Sequence, residues 1–311
     1  MPTLIDFRRR IRSVKNTQQI TRAMKFVAAA RLRRAQEGVF AARPYAREMQ
    51  NVLRSAMARI ERPAHPLLAR REEKRLLLLV LSGDKGLCGA FNTNVLRRAL
   101  EFIREHADRA LQLVALGKRG RDALRKRKYS FQAEYINIFS SLDFARAREV
   151  AAKVIEQYAA GEADAVYAIY NEFKNVLVQR LVTEKLLPVE GILQTRFEGA
   201  LAIPGHEGYE GAPATPAEPA GQQGEAEVDY IYEQPLAELL ELLLPRHVEM
   251  QVYRALLESG AAEQAARMTA MDAATNNAAD MIDRLTLHMN KVRQAQITKE
   301  LIEIVSGAAA L

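Results

Sequence analysis

The segment of this chain that most resembles a site of chemistry is a glycine-containing loop at residues 82–90, which reads SGDKGLCGA. It follows an apolar run and precedes a helical pattern, which is where phosphate-binding loops occur in α/β proteins. A Walker loop ends in Gly-Lys-Ser/Thr and a dinucleotide loop reads Gly-x-Gly-x-x-Gly, whereas the glycines here are Gly83, Gly86 and Gly89. The spacing favours a structural turn that packs a strand on a helix, and nucleotide binding is the alternative.

Other residue types that carry chemistry in enzymes are scattered along the chain. The five histidines show neither the i, i+4 pairing nor the neighbouring cysteines of a metal site; they are His65, His106, His206, His247 and His288. Cys88 is the single cysteine, so an internal disulfide is excluded and a reducing compartment is the simplest setting. These patterns predict no catalytic residue, no metal site and no bound cofactor.

A long helix is predicted at the N-terminus. Between Leu4 and Ile60 the only glycine is Gly38 and the only proline is Pro44, and strong helix formers dominate. We expect Pro44 to kink or interrupt the helix. Apolar or small residues recur at a spacing of three or four and predict one buried seam, which consists of Leu4, Phe7, Ile11, Val14, Thr17, Thr21, Met24, Ala28 and Ala35.

A second long helix is predicted from Leu236 onward, with Pro245 and Gly260 as its local weak points. Its seam follows a heptad-like spacing and then slips in phase, which predicts an irregular coiled coil. The seam residues are Met268, Met271, Thr275, Ala278, Ile282, Leu285, Met289 and Val292, followed after the slip by Ile297, Leu301 and Ile304.

The lengths of these helices decide how they are arranged. At about 1.5 Å per residue, the N-terminal helix would span roughly 85 Å and the C-terminal helix roughly 105 Å. A compact globule of this chain length would be only about 50 Å across, so both helices must project from the body. One enters the middle region and the other leaves it, so we expect an antiparallel pair. The C-terminal helix would overshoot by very roughly 20 Å and end in an exposed apolar tip.

Between the helices, short apolar runs alternate with helical patterns, which predicts a βαβ-type sheet. The predicted parallel strands are 76–81, 111–116 and 165–170, and the helices between and beside them are 95–106, 119–126 and 145–159. Further predicted strands are 177–186, as an edge strand, and 228–232. The fold class is therefore α+β: a long antiparallel coiled coil of the N- and C-terminal helices plus a central α/β domain, Rossmann-like with a mostly parallel sheet.

Composition also divides the chain. We expect an N-terminal coiled-coil helix over 1–60, an α/β domain over 72–232 and a C-terminal coiled-coil helix over 236–311. Residues 198–227 contain neither lysine nor arginine and are rich in Gly, Pro, Ala and Glu, so a flexible acidic loop is predicted there. The longest uninterrupted apolar run, 76–81, is far shorter than the roughly 20 residues of a membrane-spanning helix.

The formal charge of +7 is concentrated in the first helix, where ten arginine and lysine residues lie between Arg8 and Arg34. Such a field suits an acidic partner surface. Nucleic acid is the competing partner, since clustered cations release counterions from phosphates. The chain has no tryptophan, and Phe7, Phe26 and Phe40 fall on different helix faces, so the stacking groups of a nucleic-acid site are scarce. An acidic protein partner is favoured.

Several segments carry a family resemblance. Residues 16–25 read NTQQITRAMK, residues 86–89 read GLCG, and residues 290–301 read NKVRQAQITKEL and continue into EIVSGAAA at 303–310. With these motifs the chain resembles the bacterial gamma subunit of F-type ATP synthases over nearly its whole length. The resemblance implies a non-catalytic central rotor stalk that couples rotation of a membrane c ring to conformational change at the catalytic beta subunits, and so to proton transport and ATP synthesis.

The resemblance also implies contact residues and partners. Met24, Lys25, Arg293 and Gln294 match positions that contact a beta subunit, and Tyr230, Tyr232 and Glu233 match the segment that touches the c ring. The tip enclosed by a bearing comprises Ile304, Val305, Ala308, Ala309, Ala310 and Leu311. One gamma copy would meet three alpha subunits, three beta subunits, the epsilon subunit and the c ring, at the cytoplasmic face of the inner (plasma) membrane as a peripheral part of the synthase. The alternative from the residues is a nucleotide-binding α/β enzyme with a coiled-coil arm.

Overall fold

The computed structural model describes residues 3–59, 65–140, 142–189 and 235–309. The helices are α1 (Leu4–Ala58), α2 (Phe91–Glu105), α3 (Lys118–Arg125), α4 (Phe144–Ala159) and α5 (Leu236–Ala309), and the strands are β1 (Arg75–Leu81), β2 (Ala110–Leu116), β3 (Ala133–Tyr135), β4 (Ala165–Phe173) and β5 (Gln179–Leu187). Short 3-10 turns occupy Pro66–Leu68 and Ile138–Ser140. None of the helices described is long and apolar enough to cross a membrane.

The first helix begins at a reciprocal cap. The Thr3 hydroxyl accepts a hydrogen bond from the Asp6 backbone N–H at 3.3 Å, and the Asp6 carboxylate accepts one from the Thr3 N–H at 3.0 Å. Two N–H groups without helical partners are thereby satisfied. The prediction that Pro44 interrupts this helix is wrong, because α1 continues through it to Ala58.

The sheet confirms the predicted parallel core. Its strand order is β3-β2-β1-β4-β5. Strands β1 to β4 are parallel to one another, and β5 pairs antiparallel with β4 at the edge of the sheet. The three predicted parallel strands and the edge strand are present, and the short strand β3 was not predicted. The predicted strand at 228–232 and the acidic segment 198–227 lie outside the described residues.

The sheet is buried on both faces, as a continuous apolar run requires. In β1, Leu76, Leu78 and Val80 point toward α2 and α3, where they pack with Val95 and Phe102 among others. The alternate residues of β1, Leu77, Leu79 and Leu81, point to the other face. There they pack against α4, the end of α1 and the beginning of α5, in a cluster that contains Leu53, Val154, Val248 and Leu256.

The helix α5 crosses this second face and then leaves it. Residues 255–263 are buried on every side of the helix. Pro245 and Gly260 do not interrupt it. A Cβ atom at Gly260 would lie 2.7 Å from the Leu142 side chain. The predicted weak point is therefore a place where another segment packs closely against the helix.

Candidate functional site

The two long helices form an antiparallel pair with a continuous register. The Gly38 position lies 3.4 Å from Leu257 when a Cβ is built on it. Farther from the sheet, Lys25 Nζ lies 2.6 Å from Asp272 Oδ1, and the Thr21 and Thr275 hydroxyls are 2.8 Å apart. Near the N-terminal start of α1, the ring centroids of Phe7 and His288 are 5.0 Å apart. In these pairs the residue number falls along α1 as it rises along α5, so the two helices keep one antiparallel register over the whole paired length.

Burial follows the seams expected from the sequence. On α1, Phe7, Thr21 and Ala28 are buried, whereas Thr17 is exposed and departs from the expected seam. On α5, Met271 and Ala278 are buried, and the other expected seam residues up to Val292 are partly buried. We call this paired segment, residues 4–38 of α1 with 257–292 of α5, the shaft.

Beyond the shaft, α5 continues alone. In the observed register Leu4 lies opposite about residue 292, so the helix up to Ala309 extends roughly 25 Å past the start of α1. The large apolar side chains in this overhang are between 49 and 68% exposed: Ile297, Leu301, Ile302, Ile304 and Val305. The side chains of Ala308 and Ala309, and the residues Ala310 and Leu311, lie outside the described part of the structure. The exposed tip predicted from the sequence is confirmed for the residues that can be described.

The four residues implied as beta-subunit contacts lie at two separate levels. Met24 and Lys25 are half-buried on the shaft, and the Lys25 ammonium is held by Asp272. Arg293 and Gln294 are exposed at the start of the overhang. Asp272 and Arg293 are separated by 21 residues of one helix, which corresponds to about 31 Å. Tyr230, Tyr232 and Glu233 lie outside the described residues.

At the base of the shaft, a buried ion pair joins α5 to the glycine-containing loop. Arg267 Nη2 lies 2.5 Å from Glu263 Oε1, and the two side chains are only 7% and 4% exposed. The same guanidinium donates to the Gly86 carbonyl at 3.3 and 3.4 Å. Burial raises the pKa of Glu263 above its usual value, although Arg267 opposes the shift.

The loop itself is held by its own polar groups. Asp84 accepts hydrogen bonds from the backbone N–H groups of Lys118 and Asn137 at 2.9 Å and of Phe139 at 3.2 Å. Buried Ser82 accepts from the Gly120 N–H at 2.7 Å. These bonds gather the carboxyl ends of β1, β2 and β3 into one rigid base, which agrees with the structural turn favoured by the sequence.

Cys88 lies inside this base and is expected to be unreactive. Its side chain is buried, and burial, followed by the charge of Glu263, raises the pKa of the thiol. Because the thiolate is the nucleophile, iodoacetamide at pH 7.5 should modify Cys88 at least about tenfold more slowly in the folded chain than in guanidinium. Mass spectrometry of time points measures both rates.

The neighbouring residue provides the control for this prediction. Leu87 is 62% exposed, so a Leu87→Cys, Cys88→Ala variant places one thiol on the solvent side of the same loop. This variant should react at nearly its unfolded rate. Equal protection of the two thiols would contradict burial as the cause.

Sequence reasoning did not find three residues that organise this region: Asp84, Glu263 and Arg267. The i, i+4 spacing of Glu263 and Arg267 was visible, and such a pair on a helix usually lies in solvent. Asp84 stands directly after the first strand, where side chains at the carboxyl edge of a parallel sheet meet. That position was the available signal.

Comparison with known proteins agrees with this architecture. A family model described as ATP synthase matches residues 3–311. The chain is 47% identical to the ATP synthase gamma chain of Pelotomaculum thermopropionicum over 100% of both chains. It is 50% identical to that of Solibacter usitatus over 100% of this chain and 99% of the relative.

Solved structures share the fold at lower identity. A chain of the Euglena gracilis mitochondrial ATP synthase (OSCP/F1/c-ring, rotational state 3) matches with a TM-score of 0.62 and 21% identity, over 99% of this chain and 94% of that chain. A chain of the Tetrahymena thermophila central stalk and c ring matches with a TM-score of 0.57 and 24% identity, over 82% and 99%. From the full-length family match and these relatives, the chain belongs to the ATP synthase gamma chain family.

Proposed function

We propose that this chain is the central rotor stalk of a proton-translocating F-type ATP synthase, which transmits rotation of a membrane c ring to catalytic beta subunits. The observation that carries the proposal is the shaft. An antiparallel helix pair leaves a rigid α/β base and ends in a single exposed helix. The full-length relatives named ATP synthase gamma chain support the same role.

The proposed mechanism follows from the shape of the shaft. Two helices of unequal length present different side chains on each side, so three equivalent partners around them would each meet a different surface. A rotor shifts a partner between states only through contacts that differ with angle. The exposed cations of α1 supply such contacts toward acidic loops, since Arg8, Arg12, Arg22 and Arg31 all lie in solvent.

The contact residues implied by the resemblance become part of this proposal. Met24, Lys25, Arg293 and Gln294 would meet beta subunits, and the exposed tip that includes Ile304 and Val305 would turn in an apolar bearing. Tyr230, Tyr232 and Glu233 would contact the c ring. Their exposure supports this for Arg293, Gln294 and the tip.

The α/β domain, over 72–232, would serve as the foot between the two long helices, 1–60 and 236–311. One copy would assemble with three alpha and three beta subunits, the epsilon subunit and the c ring, at the cytoplasmic face of the membrane. Nucleotide chemistry would belong to the partners and not to this chain. In support, the side chains of Ser82 and Asp84 in the 82–90 loop accept hydrogen bonds from backbone N–H groups of the chain itself.

Reconstitution tests the proposal. The purified chain should hydrolyse no ATP, whereas its addition to an alpha–beta ring that lacks a gamma chain should restore rotation-dependent turnover. The Arg293→Ala, Gln294→Ala variant should fold normally and lower the torque or the ATP synthesis rate several-fold, because it removes exposed polar contacts and leaves the shaft seam intact.

The matched control removes the same two residue types from the α/β domain. Arg97 and Gln132 are also exposed, and the Arg97→Ala, Gln132→Ala variant should synthesise ATP at the unmodified rate. Robust ATPase activity of the isolated chain would overturn the rotor role. Equal rates for both double variants would overturn the assignment of Arg293 and Gln294.

A further inference from the structure

A cleft of about 510 Å³ opens at the base of the shaft, where α1, α5, the loop after β1 and the segment after β3 meet. This volume lies within the range of small-molecule sites. Its cationic lining residues are Arg31 and Arg34 from α1, Lys85 from the loop and Arg267 from α5. Of these cations, the rotor role described above uses only Arg31.

The charges of the cleft do not cancel. Its lining has four cations and two carboxylates, Asp84 and Glu263. Asp84 already accepts three backbone hydrogen bonds, and Glu263 is paired with Arg267 at 2.5 Å. Both carboxylates are therefore engaged within the protein.

The remaining three cations line the cleft from two different elements. Arg31 and Arg34 lie one turn apart on α1, and Lys85 lies on the loop, with all three side chains exposed to solvent. Guanidinium and ammonium groups that line one cleft can together bind the several oxygens of a phosphate group. Among neighbouring residues, Asn137 and Ser140 add polar atoms to the lining, and Phe139 and Tyr253 add aromatic rings.

We propose that this cleft binds the phosphate group of a small molecule, with Arg31, Arg34 and Lys85 as its ligands. The limited volume and the approach from two sides suit a compact anion with several charges better than an extended acidic segment. A bound phosphate would bridge the shaft and the 82–90 loop. It would thereby stiffen the joint at which the shaft leaves the α/β base.

Calorimetric titration of the full chain at low ionic strength tests this site, with pyrophosphate and ATP as separate ligands. Each should bind in a 1:1 ratio with saturation. The Arg34→Gln, Lys85→Gln variant should bind at least tenfold more weakly. The Arg8→Gln, Arg12→Gln variant removes the same charge from exposed positions of the same helix and should bind within twofold of the unmodified chain.

The two ligands distinguish the source of the phosphate. Equal affinities would identify the phosphate group alone as the recognised element, whereas tighter binding of ATP would add a base contact, for which Phe139 and Tyr253 are available. Both results support the site. An absence of saturable heat, or equal weakening in the two charge variants, would overturn it.

Hydrogen–deuterium exchange gives a second measurement that does not depend on any variant. Pyrophosphate should increase protection at residues 82–90 and 137–140, which border the cleft. Protection confined to the exposed arginines at the far end of α1 would also overturn the site. None of these outcomes bears on the rotor role, which rests on the shaft.

Discussion

Replacement of Gly117 by alanine is expected to lower the free energy of unfolding by at least about 4 kcal/mol, which is an exceptional cost for one methyl group. Gly117 has φ +105° and ψ 144°, a conformation that is essentially confined to glycine. A Cβ atom there would lie 1.8 Å from the Ser82 carbonyl oxygen. The obstruction is backbone, so no side-chain rotation relieves it.

The position also explains why the damage should spread. The Gly117 N–H donates to the Tyr135 carbonyl at 2.8 Å, and the Ser82 N–H donates to the Leu116 carbonyl at 2.8 Å. Movement of Gly117 therefore disturbs the carboxyl ends of β1, β2 and β3 together. Guanidinium unfolding followed by circular dichroism measures the loss.

Gly38→Ala is the matched control. Gly38 lies inside α1, and an added Cβ would be 3.4 Å from a Leu257 methyl group, close to ordinary contact. Alanine favours a helix interior over glycine by about 1 kcal/mol, so this variant should be as stable as the unmodified chain or slightly more stable. If the free energies of unfolding of the Gly117→Ala and Gly38→Ala variants differed by less than about 1 kcal/mol, the strand ends would have to move apart at little cost, which would contradict this account.

The second large effect is expected from Arg267→Met, at about 3–5 kcal/mol of lost stability. The substitution leaves the Glu263 carboxylate buried without its partner, and it removes the hydrogen bonds to the Gly86 carbonyl. The control is Lys25→Met at the more exposed pair with Asp272, where the side chains are 37% and 46% exposed. Exposed pairs contribute about 0–1 kcal/mol, so the control should change little.

Two further measurements separate the ion pair from simple packing. The Glu263→Leu, Arg267→Met variant removes both charges and should regain most of the lost stability. Burial already raises the pKa of Glu263, and without Arg267 nothing adjacent on the helix opposes that shift. A carboxyl group whose pKa is higher in the folded than in the unfolded state costs stability as the pH rises and the group becomes charged. Arg267→Met should therefore lose more stability at pH 8 than at pH 5. A loss independent of pH would contradict this account.

Much of the fold was accessible from the sequence because its signals are local and long. The seam spacing of α1 and α5 persists over many turns, and helix length alone requires projection from the body. The predicted parallel strands begin within one residue of their observed positions, as with 76–81 against Arg75–Leu81. Apolar runs between helical patterns are an unambiguous signal when a strand is buried on both faces.

The errors arose where tertiary contacts override local preference. Helix α1 continues through Pro44, because packing against α5 stabilises the helix. The strand β3 has only three residues and no buried side chain, so it carries no periodic signal. Its pairing with the end of β2 comes from the sheet edge and not from its own composition.

The sequence predicted which surfaces of the candidate site are exposed, but not which distant residues contact each other within it. The exposed tip followed from helix lengths, whereas the ion pair between Lys25 and Asp272 joins residues 247 positions apart. The convergence of Asp84, Glu263 and Arg267 likewise depends on how α5 crosses the sheet. One sequence without its fold contains no record of such distant contacts.

The N-terminal helix packs against a helix that is translated much later. The hydroxyl pair of Thr21 and Thr275 is separated by 254 positions, which a ribosome translates in roughly 13–50 s. Until that interval ends, the apolar stripe that includes Phe7 and Ala28 has no C-terminal helix to pack against. A chaperone that covers exposed apolar surface would protect this stripe in the nascent polypeptide until the second helix is available to pack against it.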